Sequence, residues 1–404
     1  MKRLKNNIGS YSHFVGVCLL LGLFVPHTSI MLMLINPILC LLLFFNNSLK
    51  FPVQTRGIVF GLCFVIFVSL IFSALLYNHE SSKYFLATIS LLLLLICFPL
   101  SNGCSIPKMY FYIAISYIFL SQLVYVFHVS SLISFFERFY PIGADDVNAY
   151  TYMLENIDIS SALNYRHGGL FHNANQTARY ICVISVAFFA LYKDEKVKDI
   201  LLYIILSLSS ILMTGSRTGL VVYSLSFLLF LHINPNVVKR TEFLIYIVIV
   251  IFVLPLFIVG SSQIRGFNIS QGFEDSANIK LDVLKDYFSQ NNSIFHLLFG
   301  YSDTKLFVPT TSTIMSIFDS EYGDLIFDYG FLGFILVIGF YIKCFRLCEK
   351  KERIFFISLL WMITSTVLLS YRMSFVFMLL LSVFVARGIN QSNGCKIHDP
   401  KNIK

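Results

Sequence analysis

Apolar stretches close to the roughly 20 residues that a helix needs to cross a bilayer recur along almost the whole chain, separated by short polar interruptions. They centre near residues 18, 37, 67, 92, 118, 185, 206, 226, 251, 333, 362 and 380. The pattern predicts an all-α, polytopic membrane protein of about twelve transmembrane helices. It forms one membrane domain over residues 1–404, with no internal repeat. Several runs are short, and residues 12–45 can be drawn as a tight hairpin. Two long polar loops, 129–175 and 261–320, break the rhythm. Inside them apolar residues return at helical spacing: Leu132, Ile133, Phe135, Phe136 and Phe139 in the first, and Ile279, Val283, Leu284, Tyr287 and Phe288 in the second. Each set predicts a helix lying along the membrane surface.

Composition agrees, with 57% of residues hydrophobic, 13% charged and a mean hydropathy of +0.75. The formal net charge of +8 does not mark a nucleic-acid partner. Most of the 30 lysines and arginines sit in short loops between apolar runs, where the excess of positive charge on the cytoplasmic side of membrane proteins accounts for them. With both termini cytoplasmic, the inner side receives Lys2, Arg3, Lys5, Lys50, Arg56, Lys108, the "KDEKVKD" loop at 193–199, Lys239, Arg240 and the "KCFRLCEKKER" loop at 343–353. The opposite threading loses this pattern. The opening "MKRLKNN" with its apolar continuation resembles a signal peptide. No small-residue cleavage site follows, so it reads as a retained first helix. The nine cysteines lie in apolar segments or in loops placed inside, and show neither a disulfide framework nor zinc spacing. No metal or other cofactor is implied.

This threading puts both long loops outside, with the short turns "MTGSRTG" (213–219) and "SYRMS" (370–374). Basic residues there run against the bias: Lys83, Arg138, Arg166, Arg179, Arg217, Arg265, Lys280, Lys285, Lys305 and Arg372. Arg217 and Arg372 occupy turns so short that their guanidinium groups stay near helix ends, and Gly215 and Gly219 let backbones come close. Such side chains either snorkel to the interface or capture an anion, because a guanidinium grips phosphate with a planar fork of donors and keeps its charge. A diphosphate takes more than one fork. Arg166 and Arg217 come from separate elements and can converge on one, while Asn173 and Asn175 orient neutral hydroxyls. A second cluster, "IFDSEYGDLIFDYGFLG" at 317–333, sets Asp319 and Glu321 before an apolar helix that also carries Asp324 and Asp328. Two roles stay open for these acids. Ser320 or Asp319 can cap the helix, with acids in its first turn, or a carboxylate can take a proton from a sugar hydroxyl. His167 and His172 can move protons or simply hydrogen bond.

The order of these motifs resembles the O-antigen polymerase and O-antigen ligase group of bacterial inner-membrane glycosyltransferases, the Wzy-type polymerases being closest in character. That order is "RHGGLFHNAN" opening one span, "TGSRTG" between two later spans, a long outer loop, then the acidic "DSEYGDLIFDYGFLG" opening another. The resemblance implies a GT-C-like fold in the bacterial inner membrane. It also implies an enzyme that polymerises undecaprenyl-diphosphate-linked oligosaccharides on the periplasmic face, without metal or nucleotide sugar. The partners implied are lipid-linked donor and acceptor glycans, membrane lipid and a chain-length regulator protein. By the resemblance, Arg166, Gly169, Phe171, Asn173 and Asn175 match the "R..G.F..N.N" stretch, and Arg217 the "SR.G" turn. The expected roles are diphosphate binding for Arg166, Arg217, Arg265 and Arg372, glycan binding for Asn173, Asn175 and Tyr322, and proton transfer for Asp319, Glu321 and His172. Ligases begin the later motif with "HN"; counting back from Gly330 lands on Asp319 and Ser320 instead, which favours a polymerase.

Two other classes fit part of the pattern. A carrier, including a flippase of lipid-linked glycans, also has about twelve spans with both ends inside, but carriers show short outer loops and internal repeats. A scaffolding role fits the spans and leaves the outer arginines without a purpose.

Overall fold

A computed structural model of the chain describes residues 2–25, 34–45, 53–77, 105–127, 129–139, 168–171, 174–234, 294–300, 321–363 and 371–392. Every regular element among them is helical. In chain order they are α1 (Lys2–Phe24), α2 (Ile35–Phe45), α3 (Val53–Tyr77), α4 (Lys108–Val126), α5 (Ser130–Phe139), α6 (Ala174–Leu191), α7 (Val197–Thr214), α8 (Arg217–Ile233), α9 (Ile294–Phe299), α10 (Glu321–Leu347) and α11 (Tyr371–Ser392). A 3-10 turn at Gly169–Phe171 and a 3-10 helix at Glu352–Ile363 complete the set. All the expected apolar centres that fall on described residues lie in one of these helices. The runs around 92 and 251, the expected surface helix at 279–288 and most of both long loops lie outside the described residues.

Among the described residues, four segments are long and apolar enough to cross a membrane: Lys108–Val126, Ala174–Leu191, Asp328–Leu347 and Met373–Gln391. Tyr11–Phe24, Arg56–Ser69, Asp199–Thr214 and Thr218–Ile233 are shorter apolar helices. Helix α6 is the axis of the bundle. It packs against α4, α7, α8, α11 and the 3-10 helix, and every residue from Thr177 to Lys193 is buried. A helix that is apolar on all sides has nowhere else to go. Its aromatic residues lock it to neighbours: Phe188 stacks on Tyr203 of α7 at 3.9 Å, and Phe189 on Phe230 of α8 at 5.1 Å. Peripheral helices bury only one side. On α3, Phe60, Phe64, Phe67 and Ile71 form an exposed stripe at helical spacing, a face that water penalises and a bilayer solvates. These features define an integral membrane protein.

The last apolar run before α11 is coiled more tightly than expected. The 12 residues of Glu352–Ile363 take the 3-10 form. At about 2.0 Å per residue a 3-10 coil covers roughly a third more depth than an α-helix of the same length. Helix α5 forms where the apolar rhythm of the first long loop predicts it. Ile133 and Phe136 are buried and Phe136 reaches Tyr117 and Tyr125 of α4, while Leu132 and Phe135 stay exposed.

The two ends of the bundle differ in chemistry. At one end the charged loops meet. Lys193 binds Glu349 at 2.6 Å and Glu352 at 3.6 Å, Arg387 binds Glu352 at 2.7 Å, and Lys108 binds Glu195 at 2.9 Å. The amide of Asn234, just past α8, donates to the Glu195 carbonyl. The threading derived from charge puts Lys108, the 193–199 loop and the 343–353 loop on one side, and here they share one end. The opposite end holds the short turns and the start of α6.

Candidate functional site

At this opposite end the chain "GSRTG" folds by local rules. Gly215 closes α7 in the left-handed conformation, φ 58°, which a side chain would resist. Its N–H donates to the Leu212 carbonyl. Ser216 then caps α8, its Oγ accepting from the Gly219 N–H at 3.3 Å. Arg217 is therefore the first residue of α8, at the positive end of the helix dipole. Gly219 sits where α8 touches α6. A Cβ there would lie 2.9 Å from the Cβ of Ala178, and the Cys182 thiol donates to the Gly219 carbonyl at 3.2 Å. The close approach expected of this glycine is present, and it joins the Arg217 turn to the helix that follows the "R..G.F..N.N" stretch.

That stretch is anchored on its other side by α4. Gly169 has φ +56°, and a Cβ on it would meet Ser121 Oγ at 2.6 Å and the Gln122 backbone nitrogen at 2.9 Å. The next N–H, of Leu170, donates to Ser121 Oγ at 3.1 Å, and Gln122 Nε2 donates to the Ser210 carbonyl near the end of α7. Thr177 Oγ1 donates to the Gly168 carbonyl, pinning the 3-10 turn to the first turn of α6. Phe171 stacks on Tyr180 with ring centres 4.5 Å apart. Both glycine-dependent turns are thus fixed against one helix, α6.

The acidic segment is built differently. Helix α10 begins at Glu321; Ser320 and Asp319, the two expected capping residues, lie outside the described residues. The helix is broken at Gly330, where φ is 67° and ψ −176°. Just before the break the Asp328 carbonyl accepts from Ser69 Oγ of α3 at 2.6 Å, so a second helix satisfies what the break disturbs. A Cβ on Gly330 would sit 2.3 Å from the Leu298 carbonyl, and one on Gly300 2.4 Å from the Asp328 carbonyl. The end of α9 and the middle of α10 therefore meet backbone to backbone.

Among the expected site residues, Arg166, His167, His172, Asn173, Arg265 and Asp319 lie outside the described residues. Arg217, Glu321 and Arg372 are placed by their backbone, at or next to the starts of α8, α10 and α11. Asn175, in the first turn of α6, is exposed. Tyr322 is half-buried and meets Phe334 edge-on at 6.1 Å. The structure brings the Arg217 turn to the start of α6 and ties the middle of α10 to α3 and α9. Two charged residues are more deeply set than their place in the sequence conveys. Asp328 is 5% exposed and Arg179, on α6, only 2%. A charge inside a spanning helix costs up to roughly 3 kcal/mol, and such residues mark substrate paths and relays. The legible signal was their position inside apolar runs rather than in the polar loops.

The class is an integral membrane protein, helical throughout its described residues, with a glycine-built turn region at one end. Residues 202–338, about a third of the chain, match the family model described as O-Antigen ligase. This match supports the O-antigen polymerase/ligase group, whose work is the assembly of surface polysaccharide, and it spans both the Arg217 turn and the acidic segment. Neither a curated protein nor a solved structure matches the chain.

Proposed function

We propose that this protein polymerises undecaprenyl-diphosphate-linked oligosaccharide repeat units into O-antigen or a similar surface polysaccharide on the periplasmic face of the bacterial inner membrane. The observation that supports the reading, at the level of the polymerase/ligase group, is the family match over residues 202–338, because it takes in both the "SR.G" turn and the acidic segment at 317–333. In this reading the end of the bundle away from the charged loops faces the periplasm, and both termini are cytoplasmic.

The reaction is a displacement. A hydroxyl oxygen of the acceptor glycan attacks the anomeric carbon of the donor, and the bond from that carbon to the phosphate oxygen breaks. The electron pair leaves with the lipid diphosphate, the hydroxyl proton passes to a carboxylate, and the anomeric centre inverts. Arg166 and Arg217 hold the diphosphate as its charge develops, with Arg265 and Arg372 as further cations. Asp319 or Glu321 is the base, with His172 as a proton carrier. Asn173, Asn175 and Tyr322 orient sugar hydroxyls. A chain-length regulator protein is the expected partner.

The description of the matching family favours a second reading, a ligase that transfers finished glycan to the lipid A core. Against it, Asp319 and Ser320 stand where ligases carry "HN". An electrophoretic profile of cell-surface polysaccharide from a strain lacking the protein separates the readings. A single repeat unit on core is the expected result. Free polymer never joined to core would instead make it a ligase, and complete loss of surface glycan would make it a flippase.

A further inference from the structure

Helix α10 packs against α3, α9, α11 and the 3-10 helix and leaves one face exposed. Phe331, Ile335, Ile342 and Phe345 line that face, at spacings of four, seven and three residues that keep them on one side of the helix. Gly339 lies among them, and a Cβ built on it would meet nothing within 4 Å. The apolar stripe therefore carries a notch. It ends on charge: Arg346, four residues beyond Ile342, is exposed on the same face. Arg353 folds back to join it, with its guanidinium carbon 4.8 Å from the centre of the Phe345 ring. Its Nε donates to the Cys348 carbonyl at 3.3 Å and its Nη2 to the Arg346 carbonyl at 3.4 Å. A guanidinium seated on an aromatic ring and tied at two nitrogens is held in place rather than trailing in water.

The acids nearby are committed elsewhere. Glu349 binds Lys193, Glu352 binds Arg387 and Lys193, and Asp194 binds Lys351 at 3.6 Å. Among the described residues Arg346 and Arg353 thus have no carboxylate partner, although two glutamates lie in the same segment, 343–353. The face runs from apolar stripe to notch to paired guanidinium groups, with the notch seven residues, about 10 Å, short of Arg346. A phospholipid presents the matching order, acyl chain and then phosphate. An acidic protein surface would answer only the charged end, and a free anion would leave the stripe unused.

We propose that this end of α10 binds an anionic phospholipid, its phosphate between Arg346 and Arg353 and an acyl chain along Ile342 and Gly339. The site lies apart from the glycan chemistry and requires only that α10 span the bilayer. Arg353 is the chain neighbour of Glu352, so a bound headgroup would steady the turn from which Glu352 reaches Arg387.

The test measures, by native mass spectrometry of the full-length protein in detergent, binding of phosphatidylglycerol and of zwitterionic phosphatidylcholine with matched chains. The unmodified chain is expected to prefer phosphatidylglycerol. Arg346→Gln should weaken that binding about fivefold, and Arg346→Gln combined with Arg353→Gln about thirtyfold, with phosphatidylcholine binding unchanged. The single variant alters an exposed residue and serves where the double one does not assemble. Lys196→Gln combined with Lys351→Gln removes two other cations from the same end and should leave both lipids as they were. An equal loss in that control would make the attraction diffuse surface charge, and a parallel loss of both lipids in the arginine variants would make it a structural effect. Either overturns the site, as does the absence of any preference in the unmodified chain. Displacement of phosphatidylglycerol by excess inorganic phosphate would make the ligand a free anion, and a dimer broken by the arginine substitutions would make the occupant a second copy. Both of these results also overturn it.

Discussion

Glu352 Oε1 and Arg387 Nε lie 2.7 Å apart with the glutamate fully buried. The pair fastens α11 to the start of the 3-10 helix at Glu352–Ile363, and Lys193 at 3.6 Å brings in the end of α6. Removing one member of such a pair strands a charge, whereas removing both does not. Arg387→Leu is therefore expected to cost about 3–5 kcal/mol of stability. Combining it with Glu352→Met should recover most of that loss. Chemical unfolding of the detergent-solubilised protein checks both, and equal losses in the single and double variants would refute the pairing argument.

Burial raises the Glu352 carboxyl above its ordinary value of 4.5, and Arg387 and Lys193 draw it back only in part. A group that holds its proton more tightly when folded contributes stability that is complete below the unfolded pKa. That contribution is lost as pH rises through the folded one. Thermal stability is expected to decline as pH climbs from 4.5 upward, and Glu352→Gln, which cannot ionise, should flatten the decline. An unchanged slope in the glutamine variant would assign the pH dependence to other groups.

Gly330 sits in a backbone region open to almost no other residue, with the Leu298 carbonyl where a Cβ would go. Gly330→Ala is expected to cost at least about 2 kcal/mol and to separate α9 from α10. Protease sensitivity between residues 300 and 321 is the local readout. Unaltered cleavage would mean that the contact is not held as described.

Arg217→Lys keeps the charge at the start of α8 and removes the planar fork. Chain growth is expected to stop while membrane insertion stays normal. Wild-type chain lengths from this variant would remove the bidentate clamp from the mechanism.

Asp319→Asn keeps the size of the side chain and removes its basicity. Lipid-linked single repeat units should accumulate, read as short, fast-migrating glycans in lipid extracts. Normal polymer would pass the role to Glu321 or His172.

Hydrophobic patterning made the helices legible, because burial in lipid or in other helices demands long apolar runs whichever neighbour supplies the cover. Charge asymmetry made their ends legible too, and the residues it grouped on one side, from Lys108 to Glu352, touch one another here. The short turn was readable from "GSRTG", since Gly215 and Gly219 do locally what their spacing suggests. Other features depend on distant contacts. The break at Gly330 interrupts an apolar run with no change in periodicity, and its cause is the backbone of Leu298, some thirty residues away in sequence. The burial of Arg179 likewise follows from how α6 is surrounded by other helices. Arg179 looked like one outer arginine among several. The expected meeting of Arg166 with Arg217 concerns a residue outside the described ones, and it stays part of the proposal.

The mutual fit of Gly300 with Asp328 has a consequence for the stretch between them. The described residues on either side of 301–320, Gly300 and the part of α10 around Asp328, touch each other, so the tether is closed whatever its length. Closing a tether of this kind grows costlier only slowly, by about 0.6 kcal/mol for each doubling of length. Insertions or swaps in this segment would therefore cost the bundle little, which makes it the cheapest place in the described architecture for the chain to vary in length.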